Sequence, residues 1–371
     1  MPFLILYMKK FIYPLLFVLL YSCSTPQDNL NNTDNFDRKP LLENVVDNII
    51  IPSYDNLLIK LNELKVEADT FSNHPSANHL SILREKWVDA YIAWQYVEIF
   101  EIGKAEEIRY ARRMNTYPTN TVDIDDNISN GVSDLSTPTI MNYARQGFPA
   151  LDYMLYGLGG DSNLVFNYYI NQDGSLYLSY LNVLIDEMVN NTSEVIAYWQ
   201  NNRNIFINST NNTATSSLNK LVNDYIYYYE KGFRANKIGI PAGIWSNDLP
   251  ENVEAYYKRD LSKTLCLVAL DVCHNFFIGK HFDNQIQGAS LKDYVDYITT
   301  NPNLSAEIIS NLDSARTQIN LLNDDFAFQV QTNNILMLEA YDAVQVVTRL
   351  LKTDMLTFLN IQTDYVDSDG D

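Results

Sequence analysis

From Leu41 to about Phe71 the apolar residues Val45, Ile49, Leu57, Leu61 and Leu64 recur at spacings that place them on one face of a helix. Pro52 falls inside this run and predicts a kink or an interruption there. A second long helix is expected over His79 to Gly103, turning Leu83, Trp87, Tyr91, Trp94 and Phe100 inward and stopping at the glycine. Lys104 to Thr137 has no such period. It holds Pro118, Gly131 and many Asn, Asp and Ser residues, and reads as a long irregular connection of the kind that often carries function.

The stretch Met141 to Gly160 reads as one short helix broken at Gly147 and restarted at once. Glycine suits the break, and Pro149 suits the first turn of the next helix, where its missing N–H would have had no partner. Phe148, Leu151, Leu155 and Leu158 then follow at helical steps, with Asp152 beside the stripe. Helical periodicity returns over Leu176 to Asn201, and Asn202 to Thr215 is a polar connector and the candidate domain boundary. Further helices are expected over Ser216 to Ala235, Pro250 to His281, Leu291 to Thr299, Ser305 to Asn323 and Thr332 to Asn360, with a loop containing Pro241 and Gly243 between the first two. No run alternates as a half-buried strand would. The expected fold is all-α: two packed up-down helical bundles, residues 41–205 and 206–362, with long irregular loops.

The N-terminus changes the picture. Lys9 and Lys10 precede the apolar run Phe11 to Leu20, the shape of a secretory signal over residues 1–22. That run is about half of the ~20 apolar residues a membrane-spanning helix needs. Leu20, Tyr21, Ser22 and Cys23 fit a bacterial lipobox, in which Cys23 would be lipidated, and residues 23–40 read as a polar tether. Ordinary signal cleavage nearby, leaving Cys23 a spare thiol, is the alternative. Residues 363–371 form an acidic tail. The formal net charge of −20 argues against nucleic acid as a partner. Cys266 and Cys273 are seven apart, about 10.5 Å along a helix axis, which is too far for a disulfide. They are expected to be two buried thiols.

Recognisable catalytic motifs are lacking. There is no HExxH zinc site, no GxSxG elbow, no CxxC pair and no phosphate-cradling P-loop. His74 and His79 flank a loop, and His274 and His281 are too far apart to share one ion directly. Asp152 and Glu254 are expected in the first turns of their helices, where an acid favours the positive helix end. Glu98 and Glu101 lie three apart, and Glu101 is expected on a solvated face.

Several short stretches together resemble the imelysin family. Gly147, Pro149 and Asp152 occupy the family motif of a glycine, a histidine and a glutamate, with proline in place of the histidine and aspartate in place of the glutamate. Trp87 to Gly103 (with Glu98), Tyr117 and Pro118, Lys237 to Gly243, and Glu254 with Tyr257 and Ser262 resemble further family segments, in order, across roughly Leu41 to Asp371. The resemblance implies an all-helical protein exported to the cell envelope, an outer-membrane lipoprotein facing the periplasm or the cell surface, that binds metal or haem in iron acquisition beside a transport partner. It implies Asp152, Glu98 and Glu254 as metal ligands, and iron or another divalent cation as the cofactor, since three carboxylates favour a hard cation. Two further readings stay open. One is a metallopeptidase of the imelysin type, and the other is a non-catalytic helical interaction protein that has lost its metal.

Overall fold

The computed structural model describes residues 34–363 apart from Ser133 and Pro138. The expected signal, Cys23 and most of the tether and acidic tail lie outside the described residues. Within them the fold is all-α, and the isolated antiparallel bridge between Lys280 and Gln287 stands in place of any strand. No helix among the described residues is long and apolar enough to cross a membrane.

Helix α1 (Lys39–Val45) runs through a wide π turn, Val46–Ile50, into α2 (Ile51–Asn73). Pro52 sits in the first turn of α2 and does not break the rod. The Asn48 carbonyl, which the missing N–H of Pro52 leaves without its helical donor, accepts instead from the Phe282 N–H at 2.8 Å. Helix α3 (Ala77–Trp94), capped by the Ser76 side chain on the His79 N–H, packs along α2, and α4 (Gly174–Asn208) packs on the other side of α2. Leu57, Leu61, Leu64, Leu83, Trp87, Leu181 and Leu184 are all fully buried, as the helical period requires.

The second half begins with α5 (Ser217–Tyr227), which widens into a long π stretch, Tyr228–Gly239. That stretch packs on α6 (Ser262–Phe277) and on α8 (Phe326–Arg349), and α8 packs on α7 (Leu304–Asn320). One apolar core runs from Leu41 to Ile361 through both halves, and α6 touches α3. Cys266 and Cys273 on α6 are buried free thiols, as their spacing led us to expect.

Several boundaries differ from the sequence reading: the last long helix starts at Phe326 and not Thr332, the connection from Lys104 to Thr137 holds three short helices, and two further differences shape the site. The helix expected over His79 to Gly103 ends at Trp94, and residues 95–99 turn away from its axis. The helix expected from Pro250 begins only at Ser262. Between them the chain makes one 3₁₀ turn, Pro250–Asn252, and then passes through left-handed conformations at Ala255 (φ 57°) and Arg259 (φ 63°), which no helix tolerates. The polar connector is also shorter than expected, because α4 carries its period on to Asn208.

Candidate functional site

The turn that ends α3 and the irregular loop before α6 converge on the π stretch, and the polar residues of the three segments form one buried network. Its centre is Lys237. The Lys237 Nζ lies 2.6 Å from Glu254 Oε2, 2.8 Å from Gln95 Oε1 and 3.4 Å from Glu98 Oε2. The other oxygen of each acid is also engaged. Glu254 Oε1 accepts from Gln95 Nε2 at 3.1 Å and from Asn115 Nδ2 at 2.8 Å, while Glu98 Oε1 accepts from Asn115 Nδ2 at 2.9 Å. Two tyrosines close the set: Tyr91 donates to Asn115 Oδ1 at 2.6 Å, and Tyr228 donates to Glu98 Oε2 at 3.2 Å. Lys237 and Glu254 are 1% and 2% exposed, so the pair is effectively dry.

Burial alone would strip a lysine of its proton. Here Glu254 and Glu98 outweigh burial and hold Lys237 above its ordinary range, so it stays an ammonium. Burial dominates at Glu98, whose carboxyl is pushed up despite the attraction of Lys237, with Glu254 adding to the rise.

The central motif holds this network in place. Gly147 has φ 74°, and a Cβ there would strike the Met114 carbonyl, so the glycine lets the break lie flat against the residue preceding Asn115. Phe148 stacks on Tyr91, with ring centroids 4.4 Å apart. Asp152, 2% exposed, accepts the backbone N–H of Tyr257 at 2.8 Å and that of Lys258 at 2.9 Å, one on each oxygen. It therefore pins the irregular loop three residues beyond Glu254. Burial pushes its carboxyl up to about 7 even against those two amides.

The three carboxylates singled out from sequence thus have different surroundings. Glu98 and Glu254 meet around Lys237. Asp152 has both oxygens committed to the loop and lies six residues into its helix segment, Gly147–Asp152, so it secures a neighbouring loop where a helix-end role was expected. Glu254 is correspondingly not in a helical first turn. It follows the 3₁₀ turn, and its own carbonyl accepts from the Ser262 hydroxyl at 2.7 Å. Glu101 is not on a solvated face either: its Oε2 accepts the Ala111 N–H at 3.0 Å, and burial pushes its carboxyl up to about 7. Gln95, Asn115 and Lys237 were not singled out from sequence as site residues. Lys237 follows Arg234 and Asn236 in the sequence, so nothing around it signalled burial.

These donors do not suit a metal ion in this arrangement. An ion between Glu98 and Glu254 would meet a buried ammonium, and no group of three or more His, Cys, Asp or Glu side chains among the described residues is placed to hold one. Two hollows adjoin the network. A cavity of about 860 Å³ is walled by Glu98, Asn115, Tyr117 and Tyr228, and a smaller one of about 180 Å³ by Pro149, Asp152, Tyr117 and Glu251.

The comparisons with known proteins agree with this architecture. An imelysin-like protein from Psychrobacter arcticum superposes with a TM-score of 0.68 at 19% identity, covering 88% of this chain and 97% of that one. A putative iron-regulated protein A precursor from Parabacteroides distasonis superposes with a TM-score of 0.72 at 18% identity, covering 86% and 94%. By sequence, iron-regulated protein A of Synechococcus elongatus is 24% identical over 115 residues, and the match spans only 31% of that relative's length. The profile of the imelysin (peptidase M75) family matches residues 50–351, most of the chain. The chain therefore belongs to the imelysin family.

Proposed function

We propose that this protein is a cell-envelope binding component of iron acquisition, anchored through Cys23, whose cargo enters the 860 Å³ cavity beside the Lys237 network. The observation that carries the reading is the pairing of that cavity with a rigid polar wall. Glu98, Asn115, Tyr117 and Tyr228 face it, and each of the first two is locked by hydrogen bonds on its far side. A preformed concave site with a few fixed polar groups is the usual form of a small-ligand site. The iron assignment is supported by the names of relatives in Synechococcus elongatus and Parabacteroides distasonis.

A peptidase reading has less support. Metal-assisted hydrolysis needs an ion to polarise a carbonyl and a free base beside it. Glu98 and Glu254 already neutralise Lys237, and Asp152 holds a loop.

Deletion of the gene tests the proposal. Slower growth on iron-limited medium is expected, restored by the intact gene and not by a Cys23→Ser copy, with normal growth in iron-replete medium. Equal growth of deletion and parent under iron limitation would refute it.

A further inference from the structure

The large cavity carries charge of both signs. Its acids are Glu98, Glu101, Glu106 and Asp224. Arg109, Arg112, Lys220 and Lys231 answer them with as many bases. Several of these groups are matched beside the wall. Glu98 faces Lys237 at 3.4 Å, Lys231 lies 3.0 Å from Glu230, and Arg109 offsets part of the rise that burial imposes on the Glu101 carboxyl. A ligand with net charge of either sign therefore loses on one set of groups what it gains on the other. The balance favours a ligand without net charge.

Most of the neutral polar groups on the wall are spent within the protein. Asn115 Nδ2 donates to Glu98 and Glu254, and Tyr228 donates to Glu98. Asn223 Nδ2 donates to the Asn219 and Gln362 carbonyls, and the Thr116 hydroxyl to the Arg112 carbonyl. Tyr117 is different. Its hydroxyl makes no hydrogen bond among the described residues, although burial pushes the phenol well above its ordinary range and Glu254 and Glu98 push it further. A polar group so placed calls for a partner that the chain itself does not supply. The surroundings that keep the phenol protonated also disfavour an anion set against it, whereas an uncharged carbonyl oxygen can accept its hydrogen bond.

We infer that the cavity takes an uncharged, carbonyl-rich ligand hydrogen-bonded by Tyr117, and that iron reaches it as a net-neutral chelate and not as a bare ion or an anionic complex. The iron half rests on the function proposed above, whereas the uncharged-ligand half rests on the cavity alone. A ferric tris-hydroxamate is such a chelate: the charges of the ligand cancel that of the metal, and the peptide that carries the hydroxamates presents further carbonyl oxygens. At about 860 Å³ the space lies within the usual range of small-ligand sites, roughly 300–1,000 Å³, and a single ion would leave most of it empty.

Calorimetric titration of the full chain with ferrichrome, metal-free ferrichrome, ferrioxamine B and ferric citrate tests both halves. The first two are uncharged, the third is cationic and the fourth anionic. Ferrichrome is expected to bind one to one, at least about tenfold more tightly than ferrioxamine B or ferric citrate, and to change little as salt is raised. Tyr117→Phe should weaken it by about tenfold and leave stability to urea unchanged, because the lost hydroxyl has no hydrogen-bond partner in the described chain. Tyr297→Phe, at an exposed tyrosine that does not line the cavity, should change neither. Ferric citrate or ferrioxamine B binding as tightly as ferrichrome, or Tyr117→Phe binding like the native chain, would overturn the uncharged-ligand assignment and leave the iron reading standing. Tyr117→Phe losing stability along with affinity would overturn it too, since the hydroxyl would then be holding the fold. Metal-free ferrichrome binding with the ferric form rejected would overturn the iron half and the function proposed above, and leave the uncharged-ligand site intact. No binding by any of the chelators would overturn the inference, and the growth test would decide the proposed function separately.

Discussion

Replacing Lys237 by methionine removes the ammonium and keeps most of the side-chain volume. Glu254 and Glu98 then lose the charge that lies 2.6 Å and 3.4 Å from their oxygens, and Glu254, 2% exposed, is not placed to recover it from solvent. Removing one partner of a buried pair typically costs about 3–5 kcal/mol, mostly the penalty of the uncompensated charge. The hydrogen bonds from Asn115, Gln95 and Tyr228 persist and place the cost towards the lower end of that range. The charge origin also fixes the pH dependence. Glu98 already has its carboxyl pushed up by burial, and without Lys237 it rises further. A folded-state value above the unfolded one means that the native state holds the proton more tightly, so the group's contribution to stability is full in acid and is lost as pH rises through the folded value. Urea denaturation of Lys237→Met should therefore show a deficit of about 3 kcal/mol at pH 8 that shrinks towards pH 5. Adding Glu254→Gln should recover part of it. A deficit below about 1 kcal/mol at pH 8, as for a surface pair, would refute the reasoning, and so would one that does not change with pH.

Other consequences concern the motif. Gly147→Ala forces a Cβ into the Met114 carbonyl at φ 74°, and should cost about 2 kcal/mol or more by urea denaturation while displacing Asn115. Asp152→Asn leaves one of the two loop amides facing an NH₂ group, an expected loss of about 1–3 kcal/mol at neutral pH. Because the Asp152 carboxyl is raised to about 7 in the folded protein, the wild type should lose stability from this group as pH climbs from about 4 to 7, and Asp152→Asn should flatten that slope in a pH series of melts. Pro149→His restores the family's histidine at the wall of the 180 Å³ hollow, yet Asp152 has no oxygen to spare. No gain in metal affinity is expected by equilibrium dialysis.

The long helices were legible because their buried faces repeat without interruption. Leu57, Leu61 and Leu64, or Leu83 and Trp87, leave no alternative to a helix packed on one side. A break near Gly147 was equally plain from the glycine and proline, although the first helix ends earlier, at Tyr143, and Gly147 opens the second helix where a helix end was expected. The site was legible only in its acids. Glu98 and Glu254 stood out as acids, but Gln95 and Asn115 are neutral amides that look like ordinary polar residues until they are seen to be buried. Lys237 is carried by a π stretch, which has no sequence signature, and a lysine in helical periodicity reads as surface. Glu254 was misplaced because Tyr256, Tyr257 and Leu261 mimic a helical stripe. The left-handed turns at Ala255 and Arg259 that aim it at Lys237 depend on contacts made by Asp152, more than a hundred residues earlier in the chain.

The central claim is that Lys237, and not a metal ion, is the cation between Glu98 and Glu254. Following the Lys237 ammonium by nitrogen NMR, in protein labelled at lysine and assigned with Lys237→Met, tests it most directly. The account predicts a single, slowly exchanging ammonium signal that persists above pH 9 and does not move when ferrous or calcium ions are added. A neutral amine at pH 8, or a signal displaced by stoichiometric metal in a Glu254-dependent way, would contradict it.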